Sequence, residues 1–164
     1  MPQLLMFAPA RKIIHDATEE VVSLVAIFDV FNIQILPGDI PPVDAVAPFT
    51  WDLYVHWGIA EGEQGITFEH RVVIAFADGQ EEELLYAPFT PEERTHRVHA
   101  SYQMFPVGHA GQHYLILSLR QATLEDEWIE VAHYPISVNY LASASPGFLK
   151  EPSRLEQIPS GVAV

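Results

Sequence analysis

Between Trp51 and Arg120 the chain repeats with a period of two, and that period constrains the fold more than any other feature. Over Trp51 to Ala60, the side chains of Trp51, Leu53, Val55, Trp57 and Ile59 alternate with Asp52, Tyr54, His56 and Gly58. Successive side chains of a strand point to opposite faces, whereas a helix face recurs every third or fourth residue. Phe68, His70, Val72, Ile74 and Phe76 repeat the pattern over Phe68 to Ala77. From Phe105 to Gln121 a turn punctuated by Gly108 and Gly111 feeds a third such segment. There His113, Leu115, Leu117 and Leu119 face one way, and Tyr114, Ile116, Ser118 and Arg120 the other. Leucines on one face and mixed residues on the second suit a central strand.

The rest of the chain extends the same reading. Leu4 to Ala8 and Arg11 to Asp16 read as short strands parted by Pro9. Val21 to Ile35 reads as one long strand, apolar on both faces, with Val25 and Phe31 on one and Leu24 and Phe28 on the other. Leu36 to Pro48 carries four prolines around Gly38, so it is expected as a long ordered loop, and loops of that length are often functional. Asp78-Gly79 predicts a tight type I′ hairpin leading to a return strand, Glu82 to Phe89. Thr90-Pro91 predicts one capped helical turn. Strands follow over Arg94 to Phe105 and Trp128 to Tyr140, and Pro135 marks the latter as an edge strand or a bulged one. Eight to nine strands with frequent turns and no sustained helical period predict an all-β fold. The expected form is an antiparallel β-sandwich, immunoglobulin-like or jelly-roll-like. It should form one domain over residues 1–140, followed by a tail over 141–164 that has no core pattern.

Composition narrows the function. The charged fraction is 18%, below the usual ~25%, which suggests more apolar surface than a monomer needs. Eight basic residues against 22 acidic ones give a net charge of −14. Nucleic acids and anionic membranes are bound largely through cationic contacts, so neither is an expected partner. The absence of cysteine excludes disulfides and thiolate chemistry. At the N-terminus the charges of Arg11 and Lys12 follow the apolar run instead of preceding it, the reverse of a signal peptide. No apolar run is long enough to span a bilayer. The expected location is therefore the cytoplasm, or an assembled particle.

The eight histidines invite a search for an active site, because imidazole binds metals and moves protons near neutrality. Their spacing discourages one. His96 and His99 face opposite sides of a strand, and His109 and His113 stand ~13 Å apart on an extended chain. His56, His70 and His133 would have to be gathered by the fold. Asp52 with Glu69 is the best carboxylate pair for glycoside hydrolysis, yet both read more simply as solvent-facing positions. No nucleophile elbow, phosphate loop, dinucleotide fingerprint or zinc-protease motif occurs. Trp51, Trp57, Phe68, Phe76 and Trp128 read as core in preference to a sugar-binding platform. No catalytic, cofactor or metal residue is assigned.

The expected function is that of a non-catalytic interaction or structural module, homo-oligomeric or part of a larger assembly, with protein as its partner. The candidate contact surface combines Pro37, Pro41 and Pro42 of the proline loop, the outward Tyr54, Val73, Tyr114 and Ile116, and Phe148 of the tail. The alternatives are a small metal- or ligand-binding enzyme using histidines or loop carboxylates, and a carbohydrate-binding module.

Two stretches resemble known families. Ala10 to Asp16, followed by Val22 to Asp29, is similar to a family of small uncharacterised bacterial and phage-associated β-sandwich proteins, with Ala26 where a glycine is common. That resemblance implies a sandwich, a possible place in a phage-type particle and no catalytic residue. Ala110 to Leu119 resembles the entry to strand F of immunoglobulin-like domains, with His113 in the phase where the corner tyrosine stands.

Overall fold

The computed structural model describes residues 1–16, 18, 21–122 and 127–142. Among them nine strands follow in order: β1 (Gln3–Asp16), β2 (Val21–Ile27), β3 (Val30–Ile35), β4 (Val46–Gly58), β5 (Phe68–Ala75), β6 (Glu81–Phe89), β7 (Thr95–Pro106), β8 (Gly111–Gln121) and β9 (Ile129–Ala142). They form two sheets, β2-β1-β4-β7 and β3-β9-β8-β5-β6, so β8 is central as its two faces require. All pairs are antiparallel except β3 with β9. Without β2 and β3, the orders β1-β4-β7 and β9-β8-β5-β6 are those of the A-B-E and G-F-C-C′ strands of an immunoglobulin-like sandwich. β2 and β3 are an insertion between the first two strands of that frame, one added to each sheet. No helix among the described residues is long and apolar enough to cross a membrane.

The alternation read from the sequence builds the core. Trp51, Leu53, Val55 and Trp57 of β4 meet Phe68, Val72 and Ile74 of β5 and Leu115, Leu117 and Leu119 of β8, all buried. Full burial of each such side chain is worth ~1.5–3 kcal/mol. His70 shares that interior, as its phase in β5 required. A histidine ties down the turn that enters β8. Buried His113 sets its Nε2 2.9 Å from the His109 carbonyl, and its Nδ1 accepts the Ala77 N–H at 3.2 Å. The first bond puts the ring proton on Nε2, and histidine makes the upstream backbone bond that a corner tyrosine makes elsewhere. The turn between His109 and His113 thus joins them through a ring and a backbone carbonyl, where an extended chain would hold them apart.

Several boundaries differ from expectation. Leu4 to Asp16 is one strand, because Pro9 stands opposite Leu53 without ending the pairing. The proline loop is shorter than expected, since β4 begins at Val46 and absorbs Pro48 at a register shift between Pro48 and Trp51. It is clamped from outside: a side-chain carbon on Gly108 would lie 1.9 Å from the Val43 carbonyl oxygen. The hairpin after β5 is not type I′, because of Asp78 and Gly79 only Gly79 has positive φ (87°). The Gly79 N–H donates to Phe76 O at 2.9 Å and Phe76 N–H to Gln80 O at 2.8 Å, a three-residue loop with glycine in the left-handed position. Thr90-Pro91 starts no helix. Pro135 lies just before β3 reaches β9 at Ser137, where one flank of β9 is open and a missing donor is tolerated.

The largest difference concerns Val21 to Ile35. One strand apolar on both faces would need cover on both; instead the run breaks at Phe28-Asp29, and its halves join different sheets. Ala26 turns the chain there with φ 53°, a left-handed conformation that costs an L-residue ~1–2 kcal/mol and glycine nearly nothing. Phe28 closes the side of the sandwich, packed edge-on against Phe31 and Phe49 at 5.2 Å and Trp51 at 5.9 Å between ring centroids. Ala26→Gly should therefore raise stability by about 0.5–1 kcal/mol in urea unfolding, net of the added chain entropy; an equal loss would mean that the turn is not strained.

Candidate contact site

The side chains proposed for contact do not lie on one surface. Tyr54, expected outward and accessible, is only 2% exposed. It faces outward from β4, but its register neighbours are Ala8 and His99, and the end of β1 comes over the same face. Past Ala10, β1 leaves β4; its Ile13 N–H donates to Asp52 Oδ2 at 2.8 Å, and the His15 ring stands 5.6 Å from His99. Val73 and Ile116 are half-buried on the outer face of the five-stranded sheet, while Tyr114 is exposed there beside His133. Pro37 and Pro42 are exposed and Pro41 half-buried. Phe148 lies outside the described residues.

More apolar surface lies at Ile40 and along β2. In the proline loop the most exposed side chain is Ile40, at 89%. In the inserted segment, β2 pairs with β1 on one side and ends its sheet on the other. Its sequence, Val-Val-Ser-Leu-Val-Ala-Ile, carries no charge and no proline. Val21, Val25 and Ile27 are 49%, 43% and 53% exposed and share a face with Ile14 of β1. The opposite rim is different, for β6 opens with exposed Glu81, Glu82 and Glu83. Charged edge strands resist pairing with another chain, and a bare apolar one invites it.

Asp52, Glu69 and several histidines make contacts within and between the strands. Asp52 is buried, not solvent-facing, and joins three strands: beyond Ile13, its Oδ1 accepts Ser101 Oγ–H at 2.7 Å and lies 3.2 Å from His99 Nε2. Burial pushes the Asp52 pKa up, but the bonds from Ser101, His99 and Ile13 outweigh it and leave it below the usual value. The residue types are those of a hydrolase triad, but the geometry is not. A triad places carboxylate and hydroxyl on different ring nitrogens, whereas here both approach His99 Nε2 and the serine gives its proton to the aspartate. Glu69, the partner imagined for Asp52, is on the other sheet, paired to Arg120 Nε at 2.6 Å.

His56 faces outward on β4, His70 is in the core and His133 contacts Glu130 on β9, so the three do not converge. Among the described residues no three metal-ligating side chains gather. Trp51, Trp57 and Phe68 are core as expected, but Trp128 is not. It lies half-buried outside the five-stranded sheet between Arg71 and Arg120, whose guanidinium carbons are 4.6 and 4.4 Å from its ring centre. No family model and no curated protein matches this chain.

His70 carries the clearest electrostatic consequence. Its Nδ1 accepts Trp57 Nε1–H at 3.3 Å, while its Nε2 is buried with no hydrogen-bond partner among the described residues. Desolvation, with repulsion from His96 added, pushes its pKa down to about 4. An unfolded imidazole titrates near 6.5, so below that pH the unfolded chain takes up a proton that the folded chain refuses. The stability is whole above about pH 6.5, falls as the pH drops, and its loss is complete below about 4, worth about 3 kcal/mol for this group. His70→Leu should flatten the urea-stability profile between those pH values, and should lower stability at pH 8 by ~1–2 kcal/mol because Trp57 loses its acceptor. An unchanged slope would place the acid sensitivity elsewhere.

Proposed function

We propose that this protein is a non-catalytic contact module that associates with copies of itself through the free edge of β2. The observation that carries this reading is an edge strand with no charged residue and three exposed apolar side chains, in a chain whose net charge is −14. An antiparallel two-fold pairing centred on Leu24 sets Val21 of one copy opposite Ile27 of the other, and Ser23 opposite Val25. Such a pairing continues the sheet across the axis, and its strand is self-complementary as a two-fold contact requires. The low charged fraction fits this use of apolar surface. The resemblance to small phage-associated proteins implies that the assembly is a phage-type particle.

Sedimentation or light scattering should give a mass near twice 18.4 kDa. Association should strengthen with salt, which screens the repulsion between two like-charged copies. Val25→Lys adds a charge at an exposed position and should yield a folded monomer. A wild-type chain that stays monomeric at the highest soluble concentration would refute the reading.

A further inference from the structure

The crossover that frees the β2 edge also leaves a hollow between the two sheets, and the geometry points to a binding site there for a small molecule with an apolar body and one carboxylate. The cavity is about 440 Å³, within the usual range for small-ligand pockets. Its walls are mostly apolar, with Ile27, Phe28, Phe31, Ile33 and Phe49 among them, and Arg11 at the rim. The Arg11 guanidinium lies over the Phe49 ring, 4.0 Å from its centre. Stacking holds the guanidinium plane while its N–H edge stays available, and that fork matches a carboxylate with two parallel hydrogen bonds.

Arg11 is exposed and forms no salt bridge among the described residues. By contrast Arg120, which also stacks on an aromatic ring, is already paired with Glu69. Asn32, the other polar side chain of the wall, accepts from Asn139 Nδ2 at 3.1 Å through its Oδ1. The hollow therefore offers one cationic fork beside aromatic and aliphatic surface. A single carboxylate is matched by that one charge. A dianionic phosphate would be half neutralised and repelled by a chain of net charge −14.

The inference does not rest on self-association, and calorimetry on the Val25→Lys chain keeps the two apart. Decanoate below its micelle concentration should bind saturably at one site per chain, and decanol, which has the same body without the charge, more weakly. Arg11→Met should weaken decanoate roughly tenfold, the size of one charge-assisted contact, and leave decanol unchanged. Ala47→Phe, at a half-buried wall position, should abolish binding of both. Equal affinity for decanoate and decanol, no effect of Arg11→Met, or full binding by Ala47→Phe would each overturn the assignment.

Discussion

The aromatic closure at Phe28 is the contact on which the rest of this architecture depends. A run of fifteen residues from Val21 to Ile35, apolar on both faces, cannot sit at the rim of one sheet without exposing a full face to water. The chain resolves this by breaking the run at Phe28-Asp29 and giving half to each sheet. Phe28 then fills the gap, meeting Phe31 on β3 and Phe49, Trp51 and Phe105 on the facing sheet edge-on. Each such aromatic pair adds ~0.5–1.5 kcal/mol beyond simple burial, so the cluster offsets the strained turn at Ala26. The free β2 edge and the hollow under Arg11 are both consequences of that break.

The frame and the insertion divide the work. The immunoglobulin-like frame is tied internally: Trp51 and Trp57 are in the core, Asp52 ties β1 and β7 to β4, and His113 fastens the turn before β8 to the β5–β6 hairpin. Even the outer Trp128 is enclosed by two arginines. Among the described residues the insertion keeps an uncharged strand edge without a neighbour, and Arg11, beside the apolar hollow, has no salt-bridge partner. Exposed apolar side chains occur elsewhere too, such as Leu5, Ile40 and Met104, but β2 combines them with a strand edge that carries no charge.

Much of this was legible in the sequence, for a physical reason. Where apolar and polar residues alternate cleanly, as from Trp51 to Ile59 or from His113 to Arg120, burial of one face fixes both strand and orientation, and the sandwich follows. Val21 to Ile35 lacked that contrast. With apolar residues in both phases, nothing local marks where the run changes sheets, and alanine at position 26 does not announce a left-handed turn. Tyr54 misled because an outward phase does not reveal what later folds over it; the end of β1 comes from far along the chain. The prolines of the loop after β3 drew attention from Ile40 between them, although proline marks where backbone stops pairing and not what the loop presents. The period-two reading puts Trp128 in the core, but it cannot show that Arg71, 57 residues away, and Arg120 enclose the ring on the outer face.

Hydrogen exchange followed as a function of protein concentration tests the central claim most directly, because it reads the β2 edge itself. If a second copy adds to that edge, the β2 amides that point away from β1 become protected as concentration rises, while those on the acidic β6 edge keep their rate. Fast exchange along β2 at every concentration, with protection appearing at another surface, would contradict the account.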